Sequence, residues 1–510
     1  MNLLLRYRRE ILILIVLIGA YFILRLPNLT LQPIFADEAI YIRWAQVMKS
    51  EPTLRFLPLS DGKTPLFMWS MIPFFKFFED PLFAGRFLSV LSGLITLLGV
   101  FALSWKVFGK RVALWASLIY VVVPYTIFFD RMALVDSLLS AFSIWSIFFA
   151  IWLAQKVRLD LAMILGFILG GGILTKTPGM LSLFLVPLSF LAFRRVGGDK
   201  YKLVRLVLFW GVAIGIALFM YNSLRLGPNF HLLSSRNADY VFSPLELIGR
   251  PLDPFIPHLK DMADWFPKLL GWPVILAGFV GIFGVIRERN KLRILVLLWA
   301  LLPLLIEMAF LRTFTARYLL FTIPPLLVVA GYGVEKISNF NLSTSLGTRF
   351  PISNIVITWI ILVALLLPNL YFNYLLLTNP QKAPLPREER IGYFEDWTAG
   401  YGFSEIAQFL MEKKKEGPVT VGTEGYFGTL PDGLYIYLDK AGIQVVPDQA
   451  TVSAKLLDAA QTNQTFFVAN KSRLLEYTKQ LKLIKEYPKA QSPDGKQDAI
   501  QLFEVIPDAN

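Results

Sequence analysis

Asp37 and Glu38 stand side by side just beyond an apolar stretch, 11–24, in a chain whose composition otherwise suits lipid. Ionisable groups at a bilayer are costly and are retained mostly where function needs them. Paired carboxylates suit acid/base chemistry, because like charges in contact push the two pKa values apart. The competing reading is that the pair caps a helix over 39–48. More polar residues punctuate the chain downstream. Asp61-Gly-Lys-Thr-Pro-Leu66 precedes a short apolar stretch, and Asp130-Arg-Met-Ala-Leu-Val-Asp136 opens another apolar block. Lys176-Thr-Pro-Gly179, Arg312 and Arg317-Tyr318 stand at the ends of further blocks. A lone Lys or Arg at such a place snorkels to the interface. Fixed cations gathered beside a carboxylate can instead hold a phosphate or diphosphate leaving group while the carboxylate takes a proton from an attacking hydroxyl.

The elements that would position these groups are membrane spans. Hydrophobic residues make up 55% of the 510, in repeated blocks of about twenty, the length that crosses ~30 Å of hydrocarbon. About eleven spans are expected, within a range of ten to thirteen: 10–27, 83–105, 111–129, 134–154, 159–175, 178–193, 203–222, 270–286, 292–310, 317–333 and 354–376. The glycines of 166–172 and Pro178 weaken the fifth and sixth. Residues 65–78 are too few to span and read as a re-entrant or interfacial helix, as do 38–49, with Trp44 suited to the headgroup level.

Lys and Arg set the sidedness. With the N-terminus in the cytoplasm, the inward connections carry Arg6/Arg8/Arg9, Lys106/Lys110/Arg111, Lys156/Arg158, Arg194/Arg195/Lys200/Lys202, Arg287/Arg289/Lys291/Arg293 and Lys336/Arg349. All are short and basic, as the positive-inside rule requires. The formal charge of +13 is thus mostly a topology signal, and no basic face suited to nucleic acid is evident. The first apolar stretch lacks a cleavage site and reads as a span, not a signal peptide. The outer side then receives two long loops, 28–82 and 223–269, and the tail 377–510. Zero cysteines exclude disulfides and thiolate chemistry, and two histidines, His231 and His258, exclude a histidine-rich metal site. Both histidines read as ordinary solvated loop residues. Asp37, Glu38 and Asp61 could hold Mg²⁺ or Ca²⁺ through oxygen ligands, but a site built on fixed cations needs no metal, and metal independence is expected.

The tail changes composition. An amphipathic helix over 404–416 ends at Gly417-Pro418, β-type runs follow at 419–423, 443–446, 465–469 and 499–505, and helical patterns lie at 451–461 and 472–482. The fold class expected is therefore a polytopic α-helical membrane protein, 1–376, with an extracytoplasmic α/β domain of about 130 residues, 377–510. No GxGxxG or P-loop occurs in the tail. Its expected role is a cap that packs on the membrane part or binds acceptor.

Phe35-Ala-Asp-Glu-Ala39, Asp61-Gly-Lys-Thr-Pro-Leu66, Phe129-Asp-Arg-Met-Ala-Leu-Val-Asp136 and Arg317-Tyr318 with Pro324-Pro325, in that order, resemble the signatures of GT-C glycosyltransferases. The chain is most similar to dolichyl-phosphate-mannose protein mannosyltransferases and to bacterial aminoarabinose transferases that modify lipid A. The similarity covers roughly 1–375, and 395–405 resembles the segment that follows the last span in many bacterial members. The resemblance implies a polyprenyl-phosphate-linked sugar donor, undecaprenyl or dolichyl, an inverting transfer, and an active site in the first outer loop. It implies that Asp37 is the catalytic base and Glu38 its orienting neighbour. Lys63, Arg131, Arg317 and Lys176 would meet the donor phosphate, and Asp61, Asp136 and Tyr318 would support them. Asp136 would pair Arg131 or cap its helix. The family has proline where this chain has Thr64. The acceptor would be a protein, a lipid or a glycan, at a hydroxyl or phosphate, in the plasma membrane. A transporter or flippase, or a polymerase or ligase of lipid-linked glycans, are the alternatives; a transporter would favour charges at mid-span and inverted repeats.

Overall fold

The computed structural model describes residues 8–194, 200–250, 252–339, 354–448, 451–475 and 478–507. Arg6, Arg195 and Arg349 of the expected inward segments lie outside the described residues. Every expected apolar block is helical, but the blocks differ in continuity. Six helices are long and apolar enough to cross a membrane alone, among them Pro81–Val107, Val135–Lys156 and Lys291–Phe310. Two bent pairs raise this to as many as eight among the described residues. Lys110–Val122 and Pro124–Asp130 meet at 59°, where proline removes a backbone donor. Phe255–Leu269 and Trp272–Glu288 meet at 116°, across Gly271 at φ +82°. The weak fifth and sixth blocks are short: Leu159–Thr175, then Gly179–Leu185 continued by a tighter 3₁₀ run, Val186–Ala192. The glycines make their close packing possible. A Cβ at Gly179 would stand 2.4 Å from the backbone of Gly172, so the turn bearing Lys176 can fold tightly back on the preceding helix.

Helices Lys202–Asn222 and Asn354–Thr378 leave large apolar side chains on the outside, including Phe219, Trp359 and Leu367. A surface of that kind is matched by lipid, and the chain is a multi-pass membrane protein.

The tail carries a five-stranded sheet. Its strands are β3 (Val419–Glu424), β4 (Gln444–Asp448), β5 (Gln464–Asn470), β6 (Leu481–Pro488) and β7 (Ala499–Val505), in the order β4-β3-β5-β7-β6. The β4-β3-β5 part is parallel, and β7 and β6 join antiparallel. Among the described residues of the helix expected over 472–482 there is only the end of a 3₁₀ turn, Lys471–Arg473, and the start of β6, an edge strand exposed along most of its length, so that no alternation of buried and exposed positions marks it. Phe403–Lys414 and Thr429–Leu438 are helical, the second without a clear sequence signal because Leu430 breaks its backbone.

Two short strands tie the tail to the first outer loop. Ile34–Phe35 (β1) pairs antiparallel with Ala399–Gly400 (β2), and the Ala36 N–H donates to the Thr398 carbonyl at 3.0 Å. The helix that follows, Ala36–Ser50, packs on Thr429–Leu438 through Arg43 to Asp439 at 3.0 Å and Gln46 to the Ile436 carbonyl at 2.9 Å. Trp44 is therefore buried beside Phe427, not placed among headgroups. Residues 66–76 form a short helix and a 3₁₀ turn. The loop 223–269 is largely helical, and backbone bonds from Phe242 to Phe310 and from Arg312 to Tyr240, both 2.7 Å, zip it to the end of Lys291–Phe310.

Candidate active site

Successive residues on a helix point about 100° apart, and the first turn of Ala36–Ser50 uses this to separate the two adjacent acids. Glu38 turns inward. Its Oε1 and Oε2 accept from Arg86 Nε and Nη2, both at 2.8 Å, Oε2 also accepts from the Phe35 N–H at 2.9 Å, and Oε1 from the Ala133 N–H at 2.7 Å. Arg86 spends its remaining donors on the carbonyls of Leu29, Gln32 and Pro33. Both side chains are fully buried. Glu38 is thus a helix cap and clamp, and the structure does not bring it to the cavity where Asp37 lies.

Asp37 faces a cavity of about 330 Å³ lined by residues of the loop 28–82, of the Lys176 turn, of 236–241 and of the ends of three membrane helices. Its Oδ2 meets Arg317 Nη1 at 2.6 Å, and Oδ1 lies 3.6 Å from Lys63 Nζ. Burial alone would raise the Asp37 carboxyl, but Arg317 and Lys63 together hold it well below the usual carboxylate range. Lys63 is in turn pushed up: burial opposes its charge, but Tyr41, Asp37 and Asp61 outweigh that cost. Gly62, at φ +66°, sets the Asp61–Lys63 turn and leaves room for Arg236, whose Cβ would be 2.5 Å from a Cβ at position 62.

A second ion pair closes another side. Lys176 Nζ donates to Asp136 Oδ1 at 2.7 Å and lies 3.9 Å from the ring centroid of Tyr318. Asp136 pairs with Lys176, then, and not with Arg131. Arg131 is buried away from the cavity, with Nη1 on the carbonyls of Arg25 and Pro27 and Nη2 on that of Asn28. It ties the end of the first span to the turn at 131. Every guanidinium bond is to backbone oxygen, which leaves nothing aimed at a phosphate. Asp61 stands behind the wall, 3.3 Å from Lys63 and 2.8 Å from Arg236. The three acids weighed as oxygen ligands do not converge: Glu38 is turned away and a lysine ammonium lies between Asp37 and Asp61. Among the described residues no three His, Asp or Glu side chains gather.

The structure therefore brings together Asp37, Lys63, Asp136, Lys176, Arg317 and Tyr318, with Asp61 behind, and leaves out Glu38 and Arg131. It adds Arg236, Tyr41, Tyr240 and Glu307, all on the cavity wall. Nothing in the sequence marks Arg236 or Glu307 as neighbours of Asp37, since each lies on a distant segment. His258 is buried too: its Nδ1 is 2.7 Å from the Met308 carbonyl and its ring stacks on Phe314 at 4.0 Å, so only His231 is a solvated loop residue.

A family model described as dolichyl-phosphate-mannose-protein mannosyltransferase matches residues 62–223, which include Lys63, Asp136 and Lys176. Among solved structures, ArnT from Cupriavidus metallidurans bound to undecaprenyl phosphate aligns over 99% of this chain and 100% of its own, at 15% identity and a TM-score of 0.56. The chain has the fold of the GT-C glycosyltransferases. The archaeal oligosaccharyltransferase AglB from Archaeoglobus fulgidus, in complex with an inhibitory peptide and a dolichol-phosphate, aligns over 97% of this chain and 74% of its own, at 11% identity and a TM-score of 0.53. No curated protein sequence matches. The GT-C fold accounts for the helical membrane part and for a separate region after the last span, here built around the β-sheet.

Proposed function

We propose that this chain is an inverting glycosyltransferase that moves a sugar from a polyprenyl-phosphate donor to an acceptor hydroxyl or phosphate at the outer face of the plasma membrane. The observation that carries the reading is the cavity in which Lys63 and Arg317 converge on Asp37, with Lys176 on the same wall. Undecaprenyl phosphate in ArnT and dolichol-phosphate in AglB, proteins of the same fold, support a lipid-phosphate donor here. The basic inward segments support a cytoplasmic N-terminus, which puts the cavity and the tail outside. Residues 1–376 would be the catalytic membrane domain and 377–510 a cap that steadies the first outer loop through β1 and β2.

In this mechanism the donor phosphate competes for Arg317 and Lys63, whose charge-assisted hydrogen bonds favour the leaving anion. With its cations shared, Asp37 regains basicity beside the sugar. The acceptor oxygen attacks the anomeric carbon, the bond from that carbon to the phosphate oxygen breaks, the electron pair leaves with polyprenyl phosphate, and the acceptor proton passes to Asp37. Tyr318 holds the Lys176 ammonium over its ring. The cationic side chains lie around one outward-facing cavity and not along mid-span helices, which favours transfer over transport.

Purified full-length protein, extracted with its native lipids and analysed by mass spectrometry, should carry a polyprenyl phosphate or its sugar conjugate. Incubation with a radiolabelled polyprenyl-phospho-sugar in membranes should release polyprenyl phosphate. The absence of both bound lipid and release, across a panel of donors, would overturn the reading.

A further inference from the structure

Glu307 belongs to the last turn of the helix Lys291–Phe310 and lines the same cavity as Asp37. It is 5% exposed, and its Oε2 has no hydrogen-bond partner. The other two carboxylates on the wall are both satisfied, Asp37 by Arg317 and Lys63, Asp136 by Lys176. Thr64 Oγ1, also on the wall and 5% exposed, is likewise without a partner. A buried, unpartnered carboxyl is costly, and the C-terminal turn of a helix disfavours an anion further. Lys176, the cation whose charge reaches Glu307, is already bonded to Asp136. The group is thus held in an unfavourable place on the cavity wall, with an oxygen whose hydrogen-bonding capacity is unused.

A carboxylate attracts hydrogen-bond donors and repels phosphate. The cavity wall thus offers two chemistries: Lys63, Arg317 and Lys176 suit an anion, and the Glu307 carboxyl and the Thr64 hydroxyl suit a group rich in hydroxyl or amino hydrogens. We propose that Glu307 and Thr64 bind the transferred sugar itself, Glu307 accepting hydrogen bonds from its hydroxyl or amino groups, so that this pair sets which sugar the cavity takes. The inference rests on the donor reading above. It assigns Glu307 to recognition, a role the three cations cannot fill because they present donors only.

The test compares binding of undecaprenyl phosphate with binding of undecaprenyl-phospho-sugars carrying mannose, glucose, galactose and aminoarabinose, using the full chain in lipid nanodiscs. One sugar conjugate should bind at least tenfold tighter than the bare lipid phosphate. Glu307→Gln should remove most of that preference, Glu307→Asp only part, and Thr64→Val a smaller part, while affinity for the bare lipid stays within twofold and the melting temperature holds. A preference that survives Glu307→Gln, or equal losses for bare and sugar-bearing lipid, overturns the inference and leaves the donor reading standing. Loss of turnover in Glu307→Gln with the sugar preference intact also overturns it, in favour of a role in proton transfer. If the wild-type chain binds no undecaprenyl phosphate at all, the donor reading fails and takes this inference with it.

Discussion

The membrane part contains two kinds of ion pair, and their difference separates architecture from chemistry. In Arg86–Glu38 and Arg25–Asp130 both partners are at most 1% exposed, and the arginines spend their donors on the carboxylate and on backbone carbonyls. Such closed pairs hold elements together: Arg25 joins the first span to the Tyr120 and Val121 carbonyls, and Arg86 joins the first outer loop to Pro81–Val107. In Asp37–Arg317, Asp37–Lys63 and Asp136–Lys176 all partners line a shared cavity, and all but Asp136 are partly exposed. Both kinds join a carboxylate to a basic side chain; what differs is whether a ligand can compete for the bonds.

The largest contrast should come from the adjacent acids. Asp37→Asn should cut turnover by about 10²–10⁴, the usual contribution of a positioned base, with the melting temperature nearly unchanged. Because the substitution frees Arg317 and Lys63 from their counter-ion, the variant should also bind undecaprenyl phosphate more tightly than wild type. Turnover close to wild type would remove Asp37 from the mechanism.

Opening a closed pair should act on the fold instead. Arg86→Ala leaves the Glu38 carboxylate buried and unpaired, at a cost of about 3–5 kcal/mol, read as a marked fall in melting temperature and in the yield of folded protein. Arg131→Ala should behave the same way, since three loop carbonyls lose their donor. If Arg131→Ala folded normally and selectively lost lipid-phosphate binding, the division between the two kinds of pair would collapse.

The cavity cations should give an intermediate effect. Arg317→Ala and Lys176→Ala should each weaken undecaprenyl phosphate binding by roughly ten- to a hundredfold, the worth of about 1.5–3 kcal/mol for a charged hydrogen bond. Titration of each purified variant with the lipid checks it, and unchanged affinity in both would reduce these groups to interface anchors.

The smallest effect concerns pH. Glu389 Oε1 accepts the Ala316 N–H at 2.8 Å, while Tyr125 donates to the Ala316 carbonyl at 2.5 Å, and this brace positions Arg317 next in sequence. Burial raises the Glu389 carboxyl from 4.5 to about 7, against the Ala316 hydrogen bond and the Arg317 charge. The folded chain therefore keeps a proton that the unfolded chain loses. The associated stabilisation is complete below about pH 4.5 and is lost as pH rises through 7, a change of roughly 3 kcal/mol. Melting temperature should fall across that window, and Glu389→Gln should flatten the dependence; an unaltered pH profile in that variant would exclude the brace as its source.

Much of the fold was legible in the chain because its signals are local. Apolar blocks of span length, short basic connections, and short β-type runs such as 419–423 and 499–505 depend on neighbours a few residues away. The edge strand Leu481–Pro488 was not legible, since it is exposed on both faces along most of its length and so carries no buried/exposed alternation. In the site, Asp37, Lys63, Lys176 and Arg317 were recognisable from residue type at the ends of apolar blocks. Arg131 bears the same marks yet serves the backbone, and the burial of Trp44 has no local signal because the surface that covers it, beside Phe427, lies almost 400 residues away.

By itself the sequence determined that this chain lives in a membrane, where its apolar blocks lie, and which acids and bases stand at their ends. Only the tertiary structure decided which of those charges are neighbours. One helical step turns Glu38 into a closed clamp and Asp37 into a cavity. The packing of four separate segments brings Lys63, Lys176, Glu307 and Arg317 around the same space. Burial and hydrogen-bond saturation are properties of that packing, and they distinguish a charge that holds the fold from one left open to a ligand.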